Sequence, residues 1–464
     1  MRDIETLVIA FADFAWGPWL LVLLLGGGIF FLIYSRFLPF RYLRHALDII
    51  CGKYDDPRDP GDVSHFQALS SALGGTIGMG NIGGVAIAIY VGGPGAIFWM
   101  WVSAFVGIAT KFFTCSLAIM YRGLDSRGQP QGGPMYTIVN GLGQKWRPLA
   151  AFFSVCCLVG AAPLFQVNQL VQILRDIVVV PSGWVTRGGS LWIFNFSCGV
   201  VISALVTLVV IGGIKRIGRV TSRVVPAMVL LYVAAAVWIL LSNAAEIPEY
   251  FTLILHDAFT GDAVAGGAAG SVIITGIRRA AFSNEAGIGT EALAHGAAKT
   301  NEPIREGLVA MLGPAIDTLI VCSATALIII SSGEWQGSEV NGVTLTAQAF
   351  EKNLPGIGAY LLVLCVFFFS VSTMFSFSYY GTKCLGFLIG AEHQHLYNYF
   401  YVGTILLGAT ASLEAVISVI DGMFALMAIP TMTSSLLLAP KVMSEARRYF
   451  ADYESKTRYS NVRR

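Results

Sequence analysis

Charge is scarce in this chain. Of its 464 residues, 12% are Asp, Glu, Lys or Arg, where a soluble domain carries roughly 25%, so it has too little charge to clothe a water-facing surface of its size. No acid stands between Asp62 and Asp125. The eight cysteines (Cys51, Cys115, Cys156, Cys157, Cys198, Cys322, Cys365 and Cys384) form no C-x-x-C and fall mostly inside apolar runs. That favours buried structural thiols over a disulfide or metal framework. The six histidines are His45, His65, His256, His295, His393 and His395, of which only the last two are close in sequence. There is no H-E-x-x-H, P-loop or nucleophile elbow either, which argues against an enzyme. A net charge of +2 gives no sign of nucleic-acid binding. One Arg and three acids precede Trp16, so the N-terminus lacks the basic region of a signal peptide and the first apolar segment is expected to be retained.

What the chain has is apolar length. It is 55% hydrophobic with a mean hydropathy of +0.68, the composition of an integral membrane protein. Runs long enough to cross a bilayer, about 20 residues each, occur over 16–35, 64–92, 95–121, 149–175, 190–213, 222–242, 263–298, 306–331, 356–382, 398–418 and 421–440. This predicts an all-α polytopic protein of about 11 transmembrane helices. The stretch 246–261 is short, aromatic and acidic at both ends, and is expected to lie in the interface. With alternating sides, 23 Lys and Arg fall after odd-numbered spans or in the tail, against Arg2, Arg175, Arg187 and Lys352 opposite. The positive-inside bias then puts the N-terminus outside and the C-terminus in the cytoplasm.

Gly78, Gly80 and Gly83 spell G-x-G-x-x-G, a dinucleotide fingerprint, but no strand precedes them and the residue 20 positions past Gly78 is Phe98 rather than an acid. The glycines have another use. Setting the first span aside leaves ten, read as five plus five running in opposite directions, an inverted repeat in which corresponding helices should be interrupted. The expected divisions are 1–62 (outer N-terminus, extra helix and cytoplasmic loop), 63–243 (first repeat), 244–262 (interfacial segment), 263–440 (second repeat) and 441–464 (basic cytoplasmic tail).

The first helix of each repeat is the interrupted one. Residues 74–84 hold six glycines, and residues 263–298 hold seven plus Arg278, Arg279 and the polar run SNEAG. Each glycine costs up to about 1 kcal/mol of helix relative to Ala. Broken backbone at membrane depth is tolerated only around a cavity or inside protein. Amides freed at the start of a half-helix suit a carboxylate, and freed carbonyls suit a cation or an ammonium. The candidates are the amides of Met79 and Gly80 and the carbonyls of Gly74, Thr76 and Ile77, with Gly78 and Gly80 letting a ligand approach the backbone. Close packing of small residues is the alternative for these glycines. In the second break Ser283 is expected to cap a half-helix ending near Lys299. Arg278 and Arg279 are expected to pair with Glu285, Asp317 or Glu414, or to touch substrate.

These residues lie in stretches that resemble the alanine or glycine:cation symporter family: FQALSSALGGTIGMGNIGGVAIAIYVGGPGAIFWMW (66–101), QGGPMY (131–136), FSNEAGIG (282–289), AHGAAKT (294–300), MLGPAIDT (311–318) and SYYGTKC (378–384). The resemblance implies the five-plus-five fold of the neurotransmitter:sodium symporters. It also implies Na+-coupled symport of small neutral amino acids across the inner membrane by alternating access, with Na+ as coupling ion and no other cofactor. By it, Met79 and Gly80 meet the substrate carboxylate, Gln166 offers a polar side chain, and Ile273 to Ile277 form pocket wall with Phe377. The carbonyls of Gly74 and Ile77 with the hydroxyls of Ser372 and Thr373 resemble a sodium site. Plain back-bonding to helix carbonyls is the alternative for those hydroxyls. Four residues depart from the pattern: Phe377 for Trp, Met79 for Thr, Thr382 for an acid and Glu291 for a small residue. Phe377 removes bulk and leaves room for a larger substrate such as glutamine. A proton-coupled permease using Glu285, Asp317 or Glu414 is the rival reading.

Overall fold

The first apolar run does not fold as one straight rod. In the computed structural model, which describes residues 2–184, 191–259, 269–337 and 340–462, Thr6–Ala15 and Pro18–Tyr34 meet at a 42° bend where Gly17 and Pro18 interrupt the helix. We label these pieces α1 (Arg2–Ala15) and α2 (Pro18–Tyr34). A short amphipathic helix, α3 (Leu43–Ile50), follows. Next come α4 (His65–Thr76) and α5 (Gly80–Gly92), bent by 50°, then α6 (Gly95–Met120), α7 (Gln144–Val179), α8 (Leu191–Val210) and α9 (Gly213–Ser242). The second half holds α10 (Ile247–Phe259), α11 (Ala269–Asn284) and α12 (Glu291–His295). It continues with α13 (Pro303–Ser332), α14 (Val343–Asn353), α15 (Gly358–Ile389), α16 (Leu396–Thr410) and α17 (Leu413–Val462).

Seven helices among the described residues are long and apolar enough to cross a membrane, or up to nine if each bent pair is one span. The other two expected spans correspond to α11 with α12, of which α11 is described from Ala269 onward, and to the 15-residue α16, which is shorter than a full crossing. Residues 263–268 of the seventh run, the end of the interfacial stretch, Arg187 and the last two arginines lie outside the described residues.

Local rules explain how the breaks are framed. Ser64 and Gln67 form a capping box at the start of α4, with Gln67 N donating to Ser64 Oγ at 3.3 Å and Ser64 N to Gln67 Oε1 at 3.2 Å. The segment before α4 pairs with the segment after α12: Val63 bridges Ala298 in parallel, and Lys299 N donates to Val63 O at 2.7 Å. The two interrupted helices are thereby tied at these ends. The first bent helix pair docks on α17 through buried Trp16, whose indole donates to Asp421 O at 2.9 Å.

Candidate functional site

The first break comprises Ile77, Gly78 and Met79, between α4 and α5. Ile77 is extended (φ −74°, ψ 91°). The amide of Gly78 donates to Asn81 Oδ1 at 2.8 Å, the reach-back half of a capping box, so the Met79 and Gly80 amides open the second half-helix beyond it. Asn81 is held in turn by Asp317, to whose Oδ1 its amide donates at 2.7 Å. Neither side chain stood out in the sequence as a brace. The signal was available: an Asn three residues after a helix break is the spacing at which a side chain can satisfy the opening amide.

One face of α15 lies along this break. Thr373, Ser376, Phe377 and Tyr380, spaced i, i+3, i+4 and i+7, abut successive glycines. A Cβ built on Gly78 would sit 2.3 Å from Thr373 Oγ1, one on Gly74 would sit 3.1 Å from Ser376 Oγ, and one on Gly75 would meet Tyr380 Oη at 2.9 Å and Phe377 at 3.5 Å. Glycine here is required by the close approach of another helix. Ser372 points elsewhere, donating to Phe369 O at 3.0 Å and facing Met228 Sδ at 3.5 Å. Thr373 also donates to the Phe369 carbonyl, at 3.0 Å. Thus Thr373 lies against Gly78 of the break, while the Ser372 hydroxyl is turned toward Met228 of α9.

The second break differs from the expectation. Ser283 does not cap a new half-helix; α11 runs on through Ser283 and Asn284, because both side chains are engaged sideways by α13. Ser283 Oγ donates to Asp317 Oδ2 at 2.8 Å and Asn284 Nδ2 to Thr318 Oγ1 at 3.1 Å. The chain turns at Glu285, which adopts a left-handed φ of 56°, a conformation costly for a residue with a Cβ. The Thr290 hydroxyl donates to the Glu285 carboxylate across the turn. A Cβ on Gly80 would lie 3.1 Å from Ser283 Cα, so the two breaks meet there. Ile277 lies eight residues before Glu285, about 12 Å back along the helix. Ile273 is half-buried and a turn further away. Phe282 and Ser283 are the residues of this helix that face the first break.

Two of the sequence candidates carry buried polar atoms with no protein partner, Thr76 Oγ1 and Gln166 Oε1, as does Tyr380 Oη beside them in α15. Buried polar groups are nearly always satisfied, so these fit a polar ligand. At the end of α7 opposite the tied segments, a cavity of about 400 Å3 is lined by Asn168, Gln172, Arg175, Asp176 and Thr344 among others. Gln169, accepting from Val343 N at 2.9 Å, stands between that cavity and Gly83, whose built Cβ would be 2.8 Å from Gln169 Oε1.

Arg278 and Arg279 do not reach Glu285, Asp317 or Glu414. Asp421 takes both: Arg278 Nε donates to it at 2.7 Å and Arg279 pairs with the same oxygen. Arg278 also reaches Asp13 of α1 at 3.0 Å. Glu414 is exposed at the start of α17. The histidines form one grouping that sequence spacing hid. His65 and His295 each place Nδ1 on a different oxygen of Glu306, the latter at 2.5 Å, and all three are buried. Beside them Arg122 donates to the carbonyls of Pro60, Gly296, Ala298 and Thr300.

A family model described as the sodium:alanine symporter family matches residues 1–463. The sodium/alanine symporter AgcS of Methanococcus maripaludis is 39% identical over 455 residues, covering 96% of this chain and 97% of that one. The probable sodium/glutamine symporter GlnT of Bacillus subtilis is 31% identical over 438 residues, covering 94% of this chain and 89% of that one. In fold the chain is similar to MhsT solved with L-phenylalanine, with a TM-score of 0.57 at 13% identity over 83% of this chain and 98% of that one.

Proposed function

The chain belongs to the sodium:alanine symporter family, a family of transporters, and from that premise we propose that it couples Na+ entry to uptake of small neutral amino acids by alternating access. The observation that carries the proposal is the meeting of two broken helices at Gly80 and Ser283, with Thr373 against Gly78. The substrate carboxylate sits on the Met79 and Gly80 amides at the positive end of a half-helix. Thr76, Gln166 and Phe377 complete its surroundings, with Ile273 and Ile277 on the more distant wall. Na+ takes the carbonyls of Gly74 and Ile77 and the hydroxyl of Thr373, with Ser372 reaching the site after a rotamer change. Oxygen-only ligation suits a hard cation.

In this reading eleven helices span an inner membrane as an extra helix plus two inverted repeats, N-terminus outside. The tied ends of α4 and α12 close the cytoplasmic side, and the cavity near Arg175 is the outer approach. Each Na+ moving down the membrane potential contributes about 2.3 kcal/mol per 100 mV. Alanine and glycine are the primary substrates, and glutamine is the third to test because Phe377 replaces a bulkier Trp. Purified protein in liposomes accumulates labelled alanine, glycine or glutamine only under an inward Na+ gradient. Equal uptake driven by a proton gradient without Na+ sinks the sodium assignment in favour of a proton-coupled permease.

A further inference from the structure

Three carboxylates and one ammonium are buried together around the second break. Lys111 of α6, Glu285, Glu291 and Asp317 are each at most 1% exposed, and Lys111 interacts electrostatically with all three acids. Among the described residues no carboxylate oxygen comes within salt-bridge distance of the Lys111 ammonium, and no group of side chains there is arranged to hold a metal ion. One cation therefore stands against three acids in a region where an unpaired charge costs several kcal/mol.

The acids are not equally served. Asp317 accepts from Asn81 at 2.7 Å, Ser283 at 2.8 Å and Thr318 at 2.7 Å, three donors that stabilise an anion. Glu285 accepts the Thr290 hydroxyl. Glu291, at the start of α12, has one side-chain hydrogen bond, Thr114 Oγ1 at 3.1 Å from Oε1, beside an interaction with its own backbone amide, and its Oε2 is buried with no hydrogen-bond partner. A bare carboxylate oxygen in that position is far costlier than a neutral acid.

Thr114 makes the neutral form easy to accommodate. Its hydroxyl is also 3.3 Å from the Lys111 carbonyl. With Glu291 protonated at Oε1, the acid donates to Thr114 and Thr114 donates to that carbonyl, so both hydrogens are used. The other titratable groups on the elements packed around Glu291 are Lys111 and Cys115 on α6, His65 on α4, Glu306 and Asp317 on α13, Tyr379 and Tyr380 on α15, and His295 on α12 itself. His65 and His295 are committed to Glu306, which leaves Lys111 as the main cation acting on Glu291, with a smaller contribution from His295.

We propose that Glu291 is a proton-binding site, holding a proton while α12 is packed as seen and releasing it when movement of that half-helix admits water. Only the release step rests on the transport function proposed above. Infrared spectra of the purified protein at neutral pH test the binding directly. A carboxylic-acid carbonyl band is expected that disappears in Glu291→Gln and shifts in Thr114→Val. Wild-type and both variant spectra that coincide in this region overturn the proposal, and Thr114→Val decides alone if Glu291→Gln fails to fold. In liposomes, wild-type uptake is expected to fall about tenfold per pH unit on the alkaline limb, the slope of one proton. Glu291→Gln is expected to stay flat within about twofold while still requiring Na+. An unaltered pH profile in Glu291→Gln refutes the release step. Failure of the wild type to accumulate any amino acid counts against symport and leaves the infrared result to decide on Glu291.

Discussion

Thr373 occupies the space that a side chain at position 78 would need: a Cβ on Gly78 would lie 2.3 Å from its hydroxyl oxygen. Gly78→Ala is therefore expected to push α15 off the first break, with an overpacking cost of about 1–3 kcal/mol and loss of most Na+-driven uptake. Adding Thr373→Ala should restore the thermal stability without restoring Na+ dependence. Stability that fails to recover in the double variant, in a cycle of unfolding midpoints, rules out this contact as the cause.

The two hydroxyls of α15 should separate in a Na+ titration. Thr373→Ala removes an oxygen that faces the break, whereas Ser372→Ala removes one that faces Met228. We expect the Na+ concentration for half-maximal uptake to rise about tenfold or more in the first, the scale of one lost ligand at about 1.4 kcal/mol per decade, and clearly less in the second. An unchanged Na+ requirement in Ser372→Ala means that its hydroxyl stays toward Met228 and never reaches the site.

Sequence reasoning reached the glycine-rich break because each glycine in residues 74–84 is a local departure from helix chemistry. It reached the family because several motifs stood in order. It misplaced the second break, since Ser283 and Asn284 look like caps until Asp317 and Thr318 on another helix are seen to hold them. It also gave the arginines the wrong acids. Asp421 is 142 positions from Arg279, and no periodicity within either segment says which faces meet. The cluster at Glu306 was invisible for the same reason, as His65, His295 and Glu306 come from three separate helices.

Glu306 is the only acceptor for two buried imidazole Nδ1 groups among the described residues. Removing it in Glu306→Ala leaves both donors stranded and is expected to cost about 3–5 kcal/mol. His295→Ala leaves Glu306 with one partner and should cost less. Unfolding midpoints in detergent give the order. A Glu306→Ala protein as stable as wild type means the cluster contributes nothing to closing these helix ends.

Asp421 and Asp13 make a second contrast. Asp421 is fully buried under two guanidiniums, whereas the Asp13 side chain is 65% exposed. Asp421→Asn is expected to destabilise by about 3–5 kcal/mol because buried Arg279 loses its counter-ion and Arg278 keeps only the exposed Asp13. Asp13→Asn should change stability by about 0–1 kcal/mol, as for exposed pairs. If Arg278 and Arg279 instead serve the substrate, Asp421→Asn lowers uptake while the unfolding midpoint stays fixed.

His45, on the amphipathic α3 outside the membrane spans, sets a pH dependence whose sign follows from its burial. Its ring is enclosed by Tyr54, Tyr449 and Tyr453, and Nε2 lies 2.7 Å from the Tyr449 hydroxyl. Burial pushes its pKa down to about 4, with Arg305 and Lys53 acting in the same direction and Asp48 against it. The unfolded chain takes up its proton near the ordinary value of about 6.5. Between these values the unfolded state binds more protons than the folded one, so stability falls as pH drops from about 6.5 toward about 4 and is unaffected by this group at neutral pH. Replacing His45 by Phe keeps an apolar ring among the tyrosines and removes the proton. The variant's unfolding midpoint should decline less over that acid window than wild type's, and parallel declines exclude His45 as the source.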